Sequence, residues 1–349
     1  MAKSRKNMSF KERFELVKRN VQEIIGEDDL KKLMKKKDKK PVVYWGTAPT
    51  GSPHVAYFFP SLKIADLLKA GFHVKVLLAD LHAALDNTPW NLVDRRYDYY
   101  EKIIPLMIKA IGVDVNDLEI VKGSEMQLSP EYMYDVLKMS SSVSVNDSTR
   151  AASEVVKMKK NPALAGLIYP LMQAVDEQYL GVDAQLGGID QRKIMVLARE
   201  NLPRIGYDSR IEIMHPMIPG LIGEKMSASD DKSKIDLLDN DKSVKEKIRN
   251  ADMVAGDPNN GVMAFLKHVL MMIKKDNNSK FIVKRDEKFG GDLEYSTYEE
   301  IEKDFKSEKL HPLDLKNAVA KEISNLLKSI QKHKKELEKL KKLAYPDNK

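Results

Sequence analysis

Five short apolar runs recur before residue 215, with helical stretches between them, and this alternation constrains the fold more than any other feature. Pro41–Trp45, Phe72–Ala79, Leu118–Val121, Val182–Leu186 and Ile211–Met214 are the strand candidates. Pro60–Ala70 and Arg95–Ile111 carry helical periodicity and stop at Gly71 and Gly112, and a further helix is expected from about Gln191 to Glu200. Short apolar strands alternating with helices predict a parallel sheet covered on both faces. In such sheets ligands bind beyond the carboxyl ends of the strands. After about Asp236 the pattern changes, and Ser243–Arg249, Val262–Lys274, Leu313–Ile330 and Lys332–Leu343 all read as helices. The chain is expected to divide into an α/β unit over residues 1–235 and a helical unit over residues 236–349. Ahead of the first strand, Ser9-Phe10-Lys11-Glu12 has the capping-box pattern, and Phe14, Val17, Val21, Ile24 and Ile25 follow at helical spacing. One amphipathic helix is expected there, followed by a lysine-rich connection over Lys31–Lys40.

Composition narrows the classes. A chain of 349 residues suits two domains better than one, and 42% hydrophobic residues supply a sizeable core. No apolar run reaches the length of a membrane span, and Met1–Lys6 has no apolar segment behind it to make a secretion signal. There is no cysteine, which excludes disulfides, thiolate zinc sites and a cysteine nucleophile and fits a reducing compartment. No protein metal site is read from the sequence, and a cytoplasmic location without membrane contact is expected. The net charge of +7 suits a polyanionic partner such as RNA or nucleotide phosphate, or simply a basic protein. The lysines at 332, 334, 335, 339, 341 and 342 form either a solvated face or an RNA-facing stripe.

Two separated segments carry nucleotide chemistry. The first strand leads into Trp45-Gly46-Thr47-Ala48-Pro49-Thr50-Gly51-Ser52-Pro53-His54. Gly46 and Gly51 have the spacing of a phosphate loop, but Ser52-Pro53 replaces its lysine and hydroxyl pair, so that reading fails. What remains is a strand, a turn of small residues that lets a ligand approach the backbone, a histidine and a helix start that favours anions. The alternative is a plain turn with His54 capping the helix. The second segment, Gly223-Glu224-Lys225-Met226-Ser227-Ala228-Ser229, offers one lysine and two hydroxyls that can close over a polyphosphate.

A pocket is suggested by Ala163–Leu180, which is largely apolar yet carries Tyr169, Gln173 and Asp176 at i, i+4 and i+7. If the helix runs through Pro170 all three share a face. A buried carboxylate needs partners, so Asp176 is either internally paired or turned to a ligand. Then Gln185-Leu186-Gly187-Gly188-Ile189-Asp190-Gln191 takes a strand through two glycines into a helix. Asp190 suits the hydroxyls of a sugar, or the N-cap of that helix.

His54-Val55-Ala56-Tyr57 resembles the HIGH motif of the class I aminoacyl-tRNA synthetases, and Lys225-Met226-Ser227-Ala228-Ser229 resembles their KMSKS motif. Ala56, Tyr57 and Ala228 depart from those patterns. Val43–Gly46, Ala79–Ala83, Tyr169–Asp176, Gly187–Gln191, Phe289–Gly291 and His311–Asn317 narrow the resemblance to the tyrosyl-tRNA synthetases of the eukaryotic and archaeal type, over about Phe10 to Pro346. The resemblance implies a Rossmann-like parallel-sheet catalytic domain and a C-terminal helical anticodon-binding domain. It implies formation of tyrosyl-adenylate from L-tyrosine and ATP with Mg²⁺, then transfer to tRNA(Tyr), with His54 and Lys225 as the catalytic residues. Gly46, Gly51, His54, Gly188, Asp190, Lys225, Met226, Ser227 and Ser229 would hold ATP. Tyr44 and Asp176 would bind the phenolic hydroxyl, and Tyr169, Gln173 and Gln191 the amino and carboxylate end. Phe289, His311 and Asp314 would meet the first anticodon base, against the plainer roles of a core aromatic and a helix cap. An insertion over about residues 89–142 would build a homodimer.

Overall fold

The computed structural model describes residues 8–36, 38–155, 163–221 and 234–346. Its main sheet has six strands: β1 (Glu23–Ile25), β2 (Val42–Thr47), β3 (His73–Leu78), β4 (Leu118–Lys122), β5 (Ala184–Gly188) and β6 (Ile211–His215). Their spatial order is β1-β6-β5-β2-β3-β4. All neighbouring pairs are parallel except β1 with β6. The chain therefore winds outward from β2 through β3 to β4, returns to the other side of β2 at β5, and winds out again to β6. The strand order reverses between β2 and β5, which is where a doubly wound sheet opens a crevice for ligands. The five expected strands are these five parallel ones, with shifted ends.

The helices between them stop where backbone chemistry stops them. Phe58–Ala70 ends at Gly71, whose φ of +97° places it in the left-handed region that favours glycine. The first helix, Phe10–Lys18, has the capping box: Ser9 N–H donates to Glu12 Oε2 at 2.8 Å, and Glu12 N–H donates to Ser9 Oγ at 3.2 Å.

This helix does not continue to Ile25 as its spacing predicts. Buried Lys63 donates to the carbonyls of Leu16 and Arg19 at 2.8 Å and to that of Val17, which satisfies the last turn. Asn20 then takes a positive φ of 55°, and Ile24 and Ile25 become β1, paired with β6. The expected connection over Lys31–Lys40 is also corrected, because Glu27–Lys35 is a helix with Leu30, Leu33 and Met34 buried on one face.

The structure divides the segment expected as an insertion over 89–142. Val93–Ala110 and β4 are the crossover helix and edge strand of the main sheet. Among the described residues, the helices that follow, Gly123–Gln127, Pro130–Ser142, Val145–Ala152 and Ala165–Tyr179, lie between β4 and β5. Beyond residue 236 the chain is mainly helical, ending in Pro312–Gln331 and Lys334–Ala344, but it includes a hairpin of β7 (Phe281–Val283) and β8 (Leu293–Tyr295). Strands of three residues are too short to announce a period of two. One apolar core runs from Val43 and Ile104 to Leu315, Leu327 and Leu337, joining the sheet to the C-terminal helices. No described helix is long and apolar enough to cross a membrane.

Candidate active site in the crevice between β2 and β5

The crevice holds two connected spaces. An outer cleft of about 970 Å³ is lined by Gly46, Thr47, His54, Gly187, Gly188 and Asp190, among others. An inner cavity of about 160 Å³ is lined by Tyr44, His82, Tyr169, Gln173, Asp176 and Gln191, among others. Gly46, Thr47, Gln173 and Gln191 belong to both, so the two spaces meet at these residues. At that junction Gln173 Nε2 donates to Gln191 Oε1 at 3.0 Å.

The helix Ala165–Tyr179 does run through Pro170, which sets Tyr169, Gln173 and Asp176 on the face towards the cavity. Asp176 and Tyr44 are each about 1% exposed. Asp176 Oδ1 accepts from Gln127 Nε2 and from Tyr132 Oη, both at 2.8 Å. Asp176 Oδ2 and Tyr44 Oη have no hydrogen-bond partner among the described residues. Burial raises the Asp176 carboxyl to about 7, with the two donors working against the shift. Burial raises the Tyr44 phenol well above its ordinary value, aided by the negative charges of Glu177 and Asp176. A buried, unpartnered acceptor beside a buried, unpartnered hydroxyl is costly unless a ligand completes both.

In the outer cleft, His54 follows the small-residue turn at the end of β2. It is buried, and its Nδ1 has no partner among the described residues. Burial, with Lys234 adding repulsion, lowers its imidazole to about 4, so at neutral pH it is an uncharged donor or acceptor. His54 forms a backbone bridge with Asp236, and Val55 N–H donates to Ile235 O at 2.9 Å. The chain thus returns to His54 directly after residues 222–233. Lys225, Met226, Ser227, Ala228 and Ser229 lie outside the described residues.

Gly188 leaves room for the Asp190 carboxylate, since a Cβ there would press on Asp190 Oδ1 and force that side chain to move. Asp190 stands in the turn Ile189–Gln191; the next helix, Arg192–Asn201, is capped at Gln191 without a side-chain bond, so Asp190 is not its cap. Burial raises the Asp190 carboxyl. Gly51, in the same turn, does not line the cleft; its carbonyl accepts from Tyr100 Oη at 2.6 Å and Tyr345 Oη at 2.9 Å.

The C-terminal candidates form a separate surface. Phe289 is 64% exposed, with Lys288 Nζ 5.0 Å from its ring centre, so it is not a core aromatic. His311, rather than Asp314, caps Pro312–Gln331, its Nδ1 accepting from Leu313 N–H at 3.1 Å. Arg285 ties the two segments, donating to Gly291 O at 2.9 Å and Lys309 O at 3.2 Å. In the lysine-rich last helix, Lys341 is paired with Asp236 and Lys334 with Glu338.

Three polar residues of the inner site went unassigned in the sequence: His82, Gln127 and Tyr132. Gln127 and Tyr132 lie 49 and 44 positions from Asp176. The sequence signal available was the need of a buried carboxylate for donors, which does not say which donors.

The family model described as tRNA synthetases class I (W and Y) matches residues 35–328, and the chain belongs to that family. Within it, the chain is similar to tyrosine ligases of eukaryotes and archaea. It is 51% identical over 341 residues to the cytoplasmic tyrosine–tRNA ligase of Danio rerio, covering 96% of this chain and 63% of that one. It is 47% identical to the cytoplasmic tyrosine–tRNA ligase of Saccharomyces cerevisiae, covering 96% of this chain and 88% of that one. The crystal structure of the Archaeoglobus fulgidus tyrosyl-tRNA synthetase complexed with L-tyrosine aligns with a TM-score of 0.85 at 42% identity, covering 93% of this chain and 99% of that one. The chain spans a little under two thirds of the length of its vertebrate relatives.

Proposed function

We propose that the crevice activates L-tyrosine with ATP and that the chain then passes the tyrosyl group to the 3′ end of tRNA(Tyr). The observation that carries this reading is the floor of the inner cavity, where buried Tyr44 Oη and Asp176 Oδ2 stand without partners. A phenol suits both: its O–H donates to Asp176, and its oxygen accepts from Tyr44. Phenylalanine leaves both unpaired in a dry site, at about 1–3 kcal/mol for a neutral group and more for a charge. Tyr169, Gln173 and Gln191 hold the amino and carboxylate end at the junction with the outer cleft. There Gly46, His54, Gly188 and Asp190, with Lys225, Met226, Ser227 and Ser229, grip ATP, whose phosphates bring Mg²⁺ as part of the substrate, and Gly51 contributes only by shaping the turn ahead of His54.

The tyrosine carboxylate attacks the α-phosphorus, the bond to the β-phosphate oxygen breaks, and pyrophosphate leaves. A hydroxyl of the terminal ribose of the tRNA then attacks the acyl carbon, and AMP leaves. No side chain serves as a covalent nucleophile, so catalysis is positioning plus stabilisation of charge on the phosphates by His54 and Lys225.

The division into a catalytic unit and an anticodon-binding unit belongs to the same reading. Phe289, His311 and Asp314 meet the anticodon, which the exposed ring of Phe289 supports. Homodimerisation is supported by Leu128, Met133, Tyr134 and Leu137, large apolar side chains exposed on or beside the helix Pro130–Ser142. A cytoplasmic location is part of this reading, supported by relatives named as cytoplasmic. ATP–pyrophosphate exchange measured with each amino acid in turn tests the core of the reading: tyrosine is expected to support exchange, and exchange driven by tryptophan or by no amino acid overturns it.

A further inference from the structure

The two oxygens of Asp176 are treated differently. Oδ1 takes both donors, Gln127 Nε2 and Tyr132 Oη, while Oδ2 takes none. Tyr132 Oη lies 2.8 Å from both Met172 O and Asp176 Oδ1. It has one proton, and an ionised carboxylate is the stronger acceptor. With Asp176 ionised, Gln127 donates from Nε2, because the reversed amide would set its oxygen 2.8 Å from a carboxylate oxygen. In that orientation its second N–H is directed at His82 Nδ1 at 3.3 Å, which accepts in the Nε2-protonated tautomer. His82 is neutral, since burial lowers it to about 4, and its Nε2 is 4.0 Å from Asp176 Oδ2.

Among the described residues no cation balances Asp176. The groups facing it are Tyr44 from β2, His82 from the helix Asp80–Leu85, Gln127 and Tyr132 from the two helices after β4, and Tyr169 and Glu177 on its own helix. The negative charge rests on two neutral donors, and both reach it from segments outside the sheet.

We propose that Gln127 and Tyr132 are positioning residues for the amino-acid substrate: by occupying Asp176 Oδ1 they leave Oδ2 as the carboxylate oxygen that meets the phenol. They also favour the ionised form, which is the one able to accept from a hydroxyl. Loss of either donor makes Asp176 both less fixed and easier to protonate. This inference rests on the tyrosine reading above.

The test is ATP–pyrophosphate exchange with tyrosine and with phenylalanine, from about pH 6 to 9, for the wild type, Tyr132→Phe and Gln127→Met. Each substitution keeps the side chain's bulk and removes donors. Because the donors come from different helices, a folding failure in one variant leaves the other as the test. A hydrogen bond to a charged group corresponds to about a 10- to 150-fold effect. The expected result is a loss of that size in kcat/KM for tyrosine, carried by KM. Phenylalanine should be little affected, and the acid limb of the tyrosine profile should move to higher pH. Equal losses for both amino acids with an unmoved acid limb overturn the inference, because they mean the two residues only pack. A wild type that selects tyrosine alongside unaltered variants overturns the inference alone. A wild type without tyrosine-dependent exchange overturns the substrate reading and this inference with it.

Discussion

Asp176→Asn removes one negative charge from the floor of the inner cavity and keeps the side chain's shape. Gln127 and Tyr132 both donate to Oδ1, so the asparagine carbonyl takes that position and its amide N–H₂ turns to where Oδ2 stood. The substrate phenol then loses a charged acceptor, a contribution of about 1.5–3 kcal/mol, and kcat/KM for tyrosine should fall roughly 10- to 150-fold. Phenylalanine no longer strands a buried charge, so its kcat/KM should hold or rise, and selectivity should narrow by at least the same factor. The pH dependence has a definite sign. With the carboxyl near 7 in the free enzyme, kcat/KM for tyrosine should fall as the pH drops through about 7. The asparagine variant should lack that limb. Stability should move the opposite way. The folded chain holds the Asp176 proton more tightly than the unfolded chain does. Its stabilising contribution is therefore complete below the unfolded value of about 4 and is lost as the pH rises through about 7. Asp176→Asn should accordingly melt higher than wild type at neutral pH, by an amount that shrinks towards about pH 4. Pyrophosphate exchange with both amino acids, paired with thermal melts across the same pH range, reads all of this. An undiminished preference for tyrosine in the variant would mean that the hydroxyl is recognised elsewhere.

Three further outcomes are expected. His54→Ala and Lys225→Ala should each slow adenylate formation about 10²–10³-fold in pre-steady-state kinetics while leaving tyrosine affinity nearly unchanged, and unaltered adenylation in both would misplace the ATP site. Phe289→Ala should cut kcat/KM for tRNA charging by about 1–3 kcal/mol of stacking while sparing pyrophosphate exchange, and Asp314→Ala should act in the same direction; equal losses in both reactions would make these residues structural. Leu137→Glu places a charge on the exposed apolar face of Pro130–Ser142 and should shift a dimer to monomer in sedimentation, whereas an unchanged mass would remove that face from the interface.

Local chemistry along the chain determined much of this protein. Apolar runs of strand length between helical periods specified the doubly wound sheet, Ser9 with Glu12 specified the first helix start, and Gly71 specified a helix end. The spacing of Tyr169, Gln173 and Asp176 gave them a common face. These features are legible because they depend on periods of two and 3.6 residues and on backbone conformations that few residues adopt. Tertiary structure decided the rest. Ile24 and Ile25 fit a helical period equally well, but Lys63 seals the helix at Lys18 and β6 offers them a strand partner. Leu30, Leu33 and Met34 sit among lysines that hid their helix. Phe289 became an exposed ring rather than a core one because the hairpin of β7 and β8 carries it to the surface. Above all, the sequence could require partners for a buried Asp176 but not choose them. Gln127 and Tyr132 reach it from helices beyond β4, and a hydrogen bond across more than 40 positions leaves no periodic trace in the chain that makes it.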